Sequence, residues 1–205
     1  ALYLVSRSPY LLGICLLILL LSILATFLYF QQLQIIQDNF SDSAERTAVF
    51  AAMDLAVNAL TLILQVFLTG RIVNKLGIGW TLAVVPLGLG IGFLILGFAP
   101  VLSVLIAIQI LRRAGNYSIM RPAREMLYVV VDKEEKYKAK NFIDTAVYRF
   151  GDWVGSVTYD GLQGLGFSMA GIAFIAVPLA GLWAWTSLKL GRKQQSMSVP
   201  DVPVI

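Results

Sequence analysis

Six long apolar segments separated by short polar ones dominate this sequence of 205 residues. A bilayer core about 30 Å thick requires ~20 mainly apolar residues per helix. Hydrophobic residues make up 58% of the chain and charged residues 14%, which is more apolar surface than a soluble core of this size can bury. We therefore expect an all-α membrane protein of six transmembrane helices, at residues 9–30, 47–69, 80–98, 101–120, 141–165 and 169–190.

The segments between these spans are too short for an extramembrane domain. Residues 31–46 form a polar loop, residues 70–79 a turn, Ala99-Pro100 a corner, residues 121–140 a charged loop and Gly164-Leu165-Gly166 a turn. We expect one transmembrane domain over residues 1–193 and a short tail over residues 194–205. The chain starts at Ala1 without a charged segment and cleavage site, so the first span does not resemble a signal peptide, and we expect a piece of a longer protein.

Lysines and arginines are unevenly distributed among the connections. Twelve of the sixteen fall at one predicted side of the membrane, and the opposite side has only Arg46, beside three acidic residues. Because basic loops stay in the cytoplasm, both ends of the chain are predicted to be cytoplasmic. The net charge of +4 is therefore a topology signal, and we expect no nucleic-acid partner.

The second predicted span has one polar face, formed by Asp54, Asn58, Thr61 and Gln65 at helical spacing. Interhelical hydrogen bonding explains the three neutral residues as well as function does. A carboxylate within a span usually faces a cavity or a partner, so Asp54 is the stronger functional candidate, as a counter-charge or proton carrier.

The fourth span places Arg112 and Arg113 near the bilayer midplane, with Gln109 and Asn116 on the same face. A charge at that depth costs at least ~2.5 kcal/mol, so these arginines require acidic partners, water or an anionic ligand. The alternative to a binding role is a structural ion pair.

The fifth span supplies possible partners, because Asp144, Tyr148 and Asp152 recur at helical spacing with Arg149 at the edge of the stripe. Arg149 and Asp152 reach about the depth of Arg112, so an Arg–Asp cluster across the fourth and fifth spans is geometrically possible. The cluster is either a static pair or one that opens for a phosphate or carboxylate, which the guanidinium fork binds well. Gly151 and Gly155 in the same span favour close helix packing.

The reactive residue types argue against an enzyme. The chain has no histidine and one cysteine, Cys15, inside the first span. These numbers disfavour hydrolytic and metal chemistry, so we expect no metal and no cofactor.

The turn after the second span, with Gly70, Asn74, Lys75 and Gly77, resembles the loop signature of the major facilitator superfamily. Asn74 stands in place of the acidic residue, and Ile78-Gly79 in place of the final basic pair. Such degraded signatures are typical of the second half of these proteins. The resemblance implies the C-terminal half of a twelve-helix bundle, whose partner is the missing N-terminal six-helix half, with the substrate site at the midplane between halves.

Longer motifs resemble bacterial relatives of the ATP/ADP translocase family. They are Leu111-Arg112-Arg113-Ala114-Gly115-Asn116-Tyr117, Arg121-Pro122-Ala123-Arg124-Glu125, residues 136–144, Tyr148-Arg149, Gly151-Asp152, Ser8-Pro9-Tyr10 and Asp54-Leu55-Ala56-Val57-Asn58. This resemblance implies nucleotide exchange across the bacterial inner membrane, with an anionic substrate. Arg112, Arg113, Asn116, Tyr148, Arg149 and Asp152 are the expected binding residues, and Asp54, Asn58, Gln65 and Asp144 the expected coupling or cavity residues.

Two other functions remain open at this point. One is a proton-coupled transporter of another small solute that uses Asp54 as its proton site. The other is a receptor or scaffold that keeps the fold and has lost the cavity. Exposed cavity faces further predict that the isolated chain associates with itself.

Overall fold

The structure, a computed structural model, describes residues 2–67 and 69–198, and it is helical almost throughout that range. Apolar runs rich in Leu, Ile, Ala and Val favour helix, and in lipid a helix satisfies every backbone polar group internally. The helices are α1 (Leu2–Arg7), α2 (Pro9–Asn39), α3 (Ser43–Phe67), α4 (Thr69–Phe98), α5 (Leu102–Gly115), α6 (Arg121–Leu127), α7 (Lys133–Phe142), α8 (Tyr148–Gly164) and α9 (Met169–Ser198). Two π-helical segments, Asn116–Met120 and Ile143–Val147, join α5 to α6 and α7 to α8, and a 3-10 turn covers Tyr128–Val130.

Four helical stretches in the described residues are long and apolar enough to cross a membrane. They are Pro9–Asn39, Ser43–Phe67, Asn74–Phe98 and Met169–Ser198. The other two predicted spans, 101–120 and 141–165, lie in helices that the π segments interrupt and that carry the central charges. We call the run from α5 through the first π segment to α6 the α5 rod, and the run from α7 through the second π segment to α8 the α7–α8 rod. A multi-pass membrane protein is therefore established, whereas six spans remain a prediction.

The predicted polar loop over residues 31–46 is wrong. Helix α2 continues to Asn39 and α3 begins at Ser43, so only three residues connect them. Gln31 and Gln32 are buried, and Gln31 Nε2 donates to the carbonyl of Met169 over 3.2 Å. These two polar side chains therefore make contacts inside the bundle and do not indicate a loop. The predicted corner at Ala99-Pro100 and the turn at 164–166 are confirmed, with Gly166 at φ 87°.

Three other predicted connections are mostly helical. The turn over residues 70–79 reduces to a kink at Gly77, whose φ of 74° favours glycine. The charged loop over residues 121–140 contains α6 and most of α7. The predicted tail is helical to Ser198, and residues 199–205 lie outside the described range.

Two helix pairs carry much of the packing. Helices α4 and α9 cross at Gly79 and Gly191, where a Cβ on Gly191 would overlap the backbone of Gly79. Helix α8 packs on α2 through Gly151 and Gly155, whose Cβ positions lie 2.8 Å from Ser22 Cβ and 3.0 Å from Thr26 Cβ. The predicted close packing at these two glycines is present. Helix α3 is the least covered long helix, with only Met53 and Val57 buried.

Contacts between the helices define two ends of the bundle. At one end Tyr10 Oη donates to the carbonyl of Leu127 over 2.7 Å. At the other end the rings of Phe98 and Phe174 are 5.1 Å apart. The Tyr10 end holds most of the lysines and arginines, and we call it the basic end; they are Arg7, Arg71, Lys75, Arg121, Arg124, Lys133, Lys136, Lys138, Lys140, Lys189, Arg192 and Lys193.

Candidate functional site

Arg113 of α5 forms an ion pair with Asp54 of α3, with Nη1 2.5 Å from Oδ1. Asp54 follows Ser43 by eleven residues and Arg113 follows Leu102 by eleven, so both lie about 16 Å along their helices. The two side chains are 57% and 30% exposed. This central ion pair is therefore open to a ligand or to another protein segment.

The polar face predicted for α3 contacts the α5 rod at a second point. Gln65 Nε2 donates to the carbonyl of Tyr117 over 3.4 Å, and Asn58 is exposed between these contacts. The hydroxyl of Thr61 is buried without a hydrogen-bond partner in the described residues. The stripe thus joins helices at its ends and leaves polar groups free in between.

Arg112 is held by a chain of glutamines. Its Nε donates to Gln109 Oε1 over 3.1 Å, and Gln109 Nε2 donates to Gln32 Oε1 on α2. Tyr148, Tyr117 and Arg113 lie near enough to act on its charge. Among the described residues no carboxylate lies within ion-pair distance of Arg112, so its charge is available for an anion.

Asp152 interacts with α2, not with the arginines of α5. Ser22 Oγ lies within hydrogen-bond distance of the Asp152 carboxylate and 2.9 Å from the carbonyl of Tyr148. Arg149 lies one helical turn before Asp152 and is 85% exposed, and its Nη1 is 3.9 Å from Asp152 Oδ2, which makes this a loose ion pair. The possible Arg–Asp cluster across the fourth and fifth spans is therefore not formed in the described residues. The reason is the Gly151 contact, which seats α8 on α2 and turns Asp152 towards Ser22.

A recess of about 310 Å³ lies beside Asp152. It is lined by Ala25, Thr26, Tyr29, Phe30, Asp152 and Ser156. Since Asp152 contributes its carboxylate here, the recess has acceptor character and suits a hydrogen-bond donor better than a phosphate.

Asp144 lies towards the basic end, in the second π segment. Its Oδ1 is 3.2 Å from an Nη of Arg124, with side chains 28% and 11% exposed, and Lys140 pairs with Glu125 over 2.6 Å nearby. Burial, and next the charge of Asp144, raises the pKa of the Tyr128 phenol, which stays protonated. This cluster ties α6 to the α7–α8 rod and lies apart from Arg112 and Arg113.

The two π segments flank the central charges. Asn116 begins the first one, directly after Arg112–Gly115, and its Oδ1 is buried without a hydrogen-bond partner in the described residues. Pro122 cannot donate to the carbonyl four residues before it, and the amide of Arg121 bonds instead to Asn116. Short π segments of this kind are frequent at functional sites.

The loop signature lies at the start of α4. Asn74 and Lys75 are exposed, a Cβ on Gly70 would meet open space, and Gly77 is the kink with positive φ. Only Gly77 has a conformation that demands glycine.

Gln32 and Ser22 are the site residues that the sequence reasoning did not identify. Both lie on α2, inside or next to an apolar run, and both are buried. A buried polar residue in a span usually forms a hydrogen bond with a partner on another helix. A polar residue inside or next to an apolar run was therefore the sequence feature that could have identified them.

A family model described as "TLC ATP/ADP transporter" matches residues 89–193. ADP,ATP carrier protein 1 of Chlamydia pneumoniae is 26% identical over 214 residues, covering 91% of this chain and 41% of that protein. The protein of the same name from Chlamydia muridarum is 24% identical over 210 residues, covering 91% and 40%. No solved structure matches significantly.

The chain thus spans about two-fifths of the length of the curated relatives it matches. The family match covers half of the chain, from α4 to α9, and includes Arg112, Arg113, Asp144, Arg149 and Asp152. It confirms the resemblance noted from the motifs, and the chain belongs to the TLC ATP/ADP transporter family.

Proposed function

We propose that this chain is part of a secondary transporter that exchanges nucleotides of the ATP/ADP type across a membrane by alternating access. The observation that carries the proposal is the pair of arginines in the last turn of α5, of which Arg112 has no carboxylate partner in the described residues. A midplane cation without a counter-ion is costly, and an anionic substrate would compensate it. The related carriers are named for ADP and ATP, which are such anions.

The two arginines take different parts in binding. The glutamine chain from Gln32 through Gln109 fixes the Nε edge of Arg112 and leaves its terminal nitrogens for phosphate oxygens. Arg113 is engaged by Asp54 when the site is empty, and a phosphate would displace that carboxylate. Asp54 then serves as the counter-charge that restores the empty site.

The wider architecture follows from the exposed charges. Asp54 and Arg149 lie at the surface of the described bundle, at depths where lipid is a poor neighbour. We propose six spans forming a major-facilitator-type half, with a second half covering these charges and completing the cavity. Both ends of the chain would then be cytoplasmic in a bacterial inner membrane, by the excess of basic residues at one end.

The test is uptake of labelled ATP by the protein reconstituted in liposomes with or without internal ADP. We expect uptake to require internal ADP and to fall at least tenfold in Arg112→Ala and Arg113→Ala. Lys133→Ala, an exposed basic residue at the basic end, is the matched control and should keep normal uptake. Exchange at wild-type rates in both arginine variants would overturn the assignment of the site.

A second candidate is proton-coupled transport of another small solute, which the exposed carboxylate of Asp54 favours. In that case a pH gradient would drive uptake without internal nucleotide, and Asp54→Asn would remove the pH dependence. Exchange at the same rate with and without a pH gradient would exclude this candidate.

A further inference from the structure

Helices α4 and α9 carry positive charge that no acid on either helix balances. In their described residues the two helices contain no Asp or Glu. Elsewhere at the basic end, Arg124 and Lys140 are paired with carboxylates. The unbalanced cations are Arg71, Lys75, Lys189, Arg192 and Lys193.

A recess of about 230 Å³ opens where α4 and α9 cross, and Arg192 is the one of these cations in its lining. Its floor is the Gly79–Gly191 contact, where the absence of side chains lets the backbones touch. Arg192 is exposed, and no ion pair engages it within the described residues. The walls include Leu76 and Trp80 from α4, and Arg192 and Gln195 from α9.

Two tryptophans mark the level of this recess relative to the bilayer. Trp80 and Trp185 are each about half exposed, at 54% and 51%. Lys189 extends over the ring of Trp185, with Nζ 3.8 Å from the ring centroid. Exposed tryptophans and extended lysines are typical of the membrane–water interface, so the recess lies at the depth of lipid headgroups.

An apolar track leads from the recess towards the opposite end of the bundle. On α4 its exposed side chains recur every three or four residues, which places them on one face of that helix, and on α9 it has two exposed members, Phe174 and Leu182. The track ends at the Phe98–Phe174 ring pair. Its members are Val84, Leu87, Ile91, Leu94 and Phe98 on α4, and Leu182 and Phe174 on α9.

We propose that this recess binds the headgroup of an anionic phospholipid, with Arg192 on the phosphate and Gln195 as a further donor. Lys189, next to the lining residue Leu188, would leave the ring of Trp185 to reach the same phosphate. The acyl chains would lie along the apolar track. Basic recesses between transmembrane helices near the cytoplasmic surface are suited to such headgroups. The track is the feature that favours a lipid over a soluble phosphate compound, because only a lipid fills both parts.

The test is native mass spectrometry of the purified protein in mild detergent, titrated with phosphatidylglycerol or phosphatidylcholine. We expect phosphatidylglycerol to bind preferentially. The variant Arg192→Gln/Lys189→Gln should bind it roughly thirtyfold more weakly, since two basic contacts are lost. Arg192→Lys/Lys189→Arg keeps the charge and should keep the affinity, which separates lost binding from misfolding.

The matched control is Arg121→Gln/Lys133→Gln, which removes the same charge from exposed positions at the basic end, outside the α4–α9 crossing. It should bind phosphatidylglycerol as the wild type does. Equal binding of both lipids, or undiminished binding by the recess variant, would overturn the proposal. Competition by glycerol 3-phosphate alone would also overturn it, because the site would then be one for a soluble phosphate.

Discussion

Arg112 and Arg113 are chemically alike and adjacent, yet they occupy different electrostatic settings. Arg113 faces a carboxylate at 2.5 Å, whereas Arg112 is bonded to a neutral glutamine. A guanidinium that already has a counter-ion binds a second anion less readily, so Arg112 is the stronger of the two attraction points. In the transporter that we propose, Asp54 would therefore control how much of the local positive charge a substrate meets.

The first prediction concerns Asp54→Asn. Removing the carboxylate frees Arg113 for phosphate, so the KM for ATP should fall about fivefold, the size expected for a partly exposed ion pair. Exchange in liposomes at several ATP concentrations measures this. Asp38→Asn, an exposed acid near the end of α2, should leave the KM unchanged. A higher KM for Asp54→Asn would mean that Asp54 positions Arg113 and does not compete for it.

The second prediction compares the ion pairs at the basic end. Arg124→Ala removes an 11% exposed side chain and leaves the buried Oδ1 of Asp144 without its ion-pair partner, so it should cost about 2 kcal/mol of unfolding free energy. Lys140→Ala removes a more exposed contact and should cost less than about 1 kcal/mol. Denaturant unfolding in mixed detergent micelles measures both.

The double variant Arg124→Ala/Asp144→Asn is the control for this comparison. It should recover part of the loss, because no uncompensated carboxylate remains. Equal losses for Arg124→Ala and Lys140→Ala would contradict the difference in burial.

At the level of helices, backbone contact at glycines determines which elements stay together. Helix α9 rests on α4 through Gly191, and α8 rests on α2 through Gly151 and Gly155. Close approach of this kind replaces hydrophobic attraction in lipid, where packing itself drives association. The α8 contact also sets the direction of Asp152, so packing and site geometry depend on the same glycines.

The third prediction follows from an asymmetry at the α4–α9 crossing. Gly191→Ala places a methyl group on the backbone of Gly79 and should cost about 3 kcal/mol, because backbone cannot give way as a side chain can. Gly79→Ala meets its nearest atoms at 3.4 Å and should cost much less.

Gly181→Ala on the same helix α9 is the control, since a Cβ there meets nothing within 4 Å. Thermal unfolding in detergent gives the order of the three variants. Similar melting temperatures for Gly191→Ala and Gly181→Ala would contradict the crossing.

Sequence reasoning predicted the apolar helices and the polar face of α3, because both depend on periodicity. It placed the end of the first helix about nine residues too early, since hydropathy takes Gln31 and Gln32 for a loop although both are buried. It also gave Asp152 the wrong partner. Helical spacing shows which residues share a face, but the neighbour of that face depends on packing at Gly151, which no single-helix pattern contains.

For the whole molecule, charge separates the two ends of the bundle. The basic end holds most of the lysines and arginines, while the end near residues 40–46 has Asp42, Glu45 and Arg46. Helix α3 is open along much of its length, whereas α2 is largely buried. The bundle therefore has a polarity across the membrane and an uncovered side within it.

The fourth prediction tests that polarity by cysteine labelling. Cys15 is buried, so it should not react with the label. A cysteine introduced at an exposed position should then be the one that is labelled. In intact cells an impermeant maleimide should label Ser41→Cys and not Ser196→Cys, because an excess of basic residues favours the cytoplasmic side. Permeabilised cells, in which both should react, are the control. The reverse pattern in intact cells would place the basic end outside.

The π segment at Asn116–Met120 changes the direction in which the side chains after it point from the α5 rod. One extra residue in a turn rotates everything beyond it by about 100° relative to a regular helix. Arg124 meets Asp144 across that insertion, while Arg113 meets Asp54 before it. Conversion of the segment to regular α-helix would turn Arg124 away from its partner without moving the central arginines. The π segment therefore sets the orientation of the basic end of the rod relative to its middle.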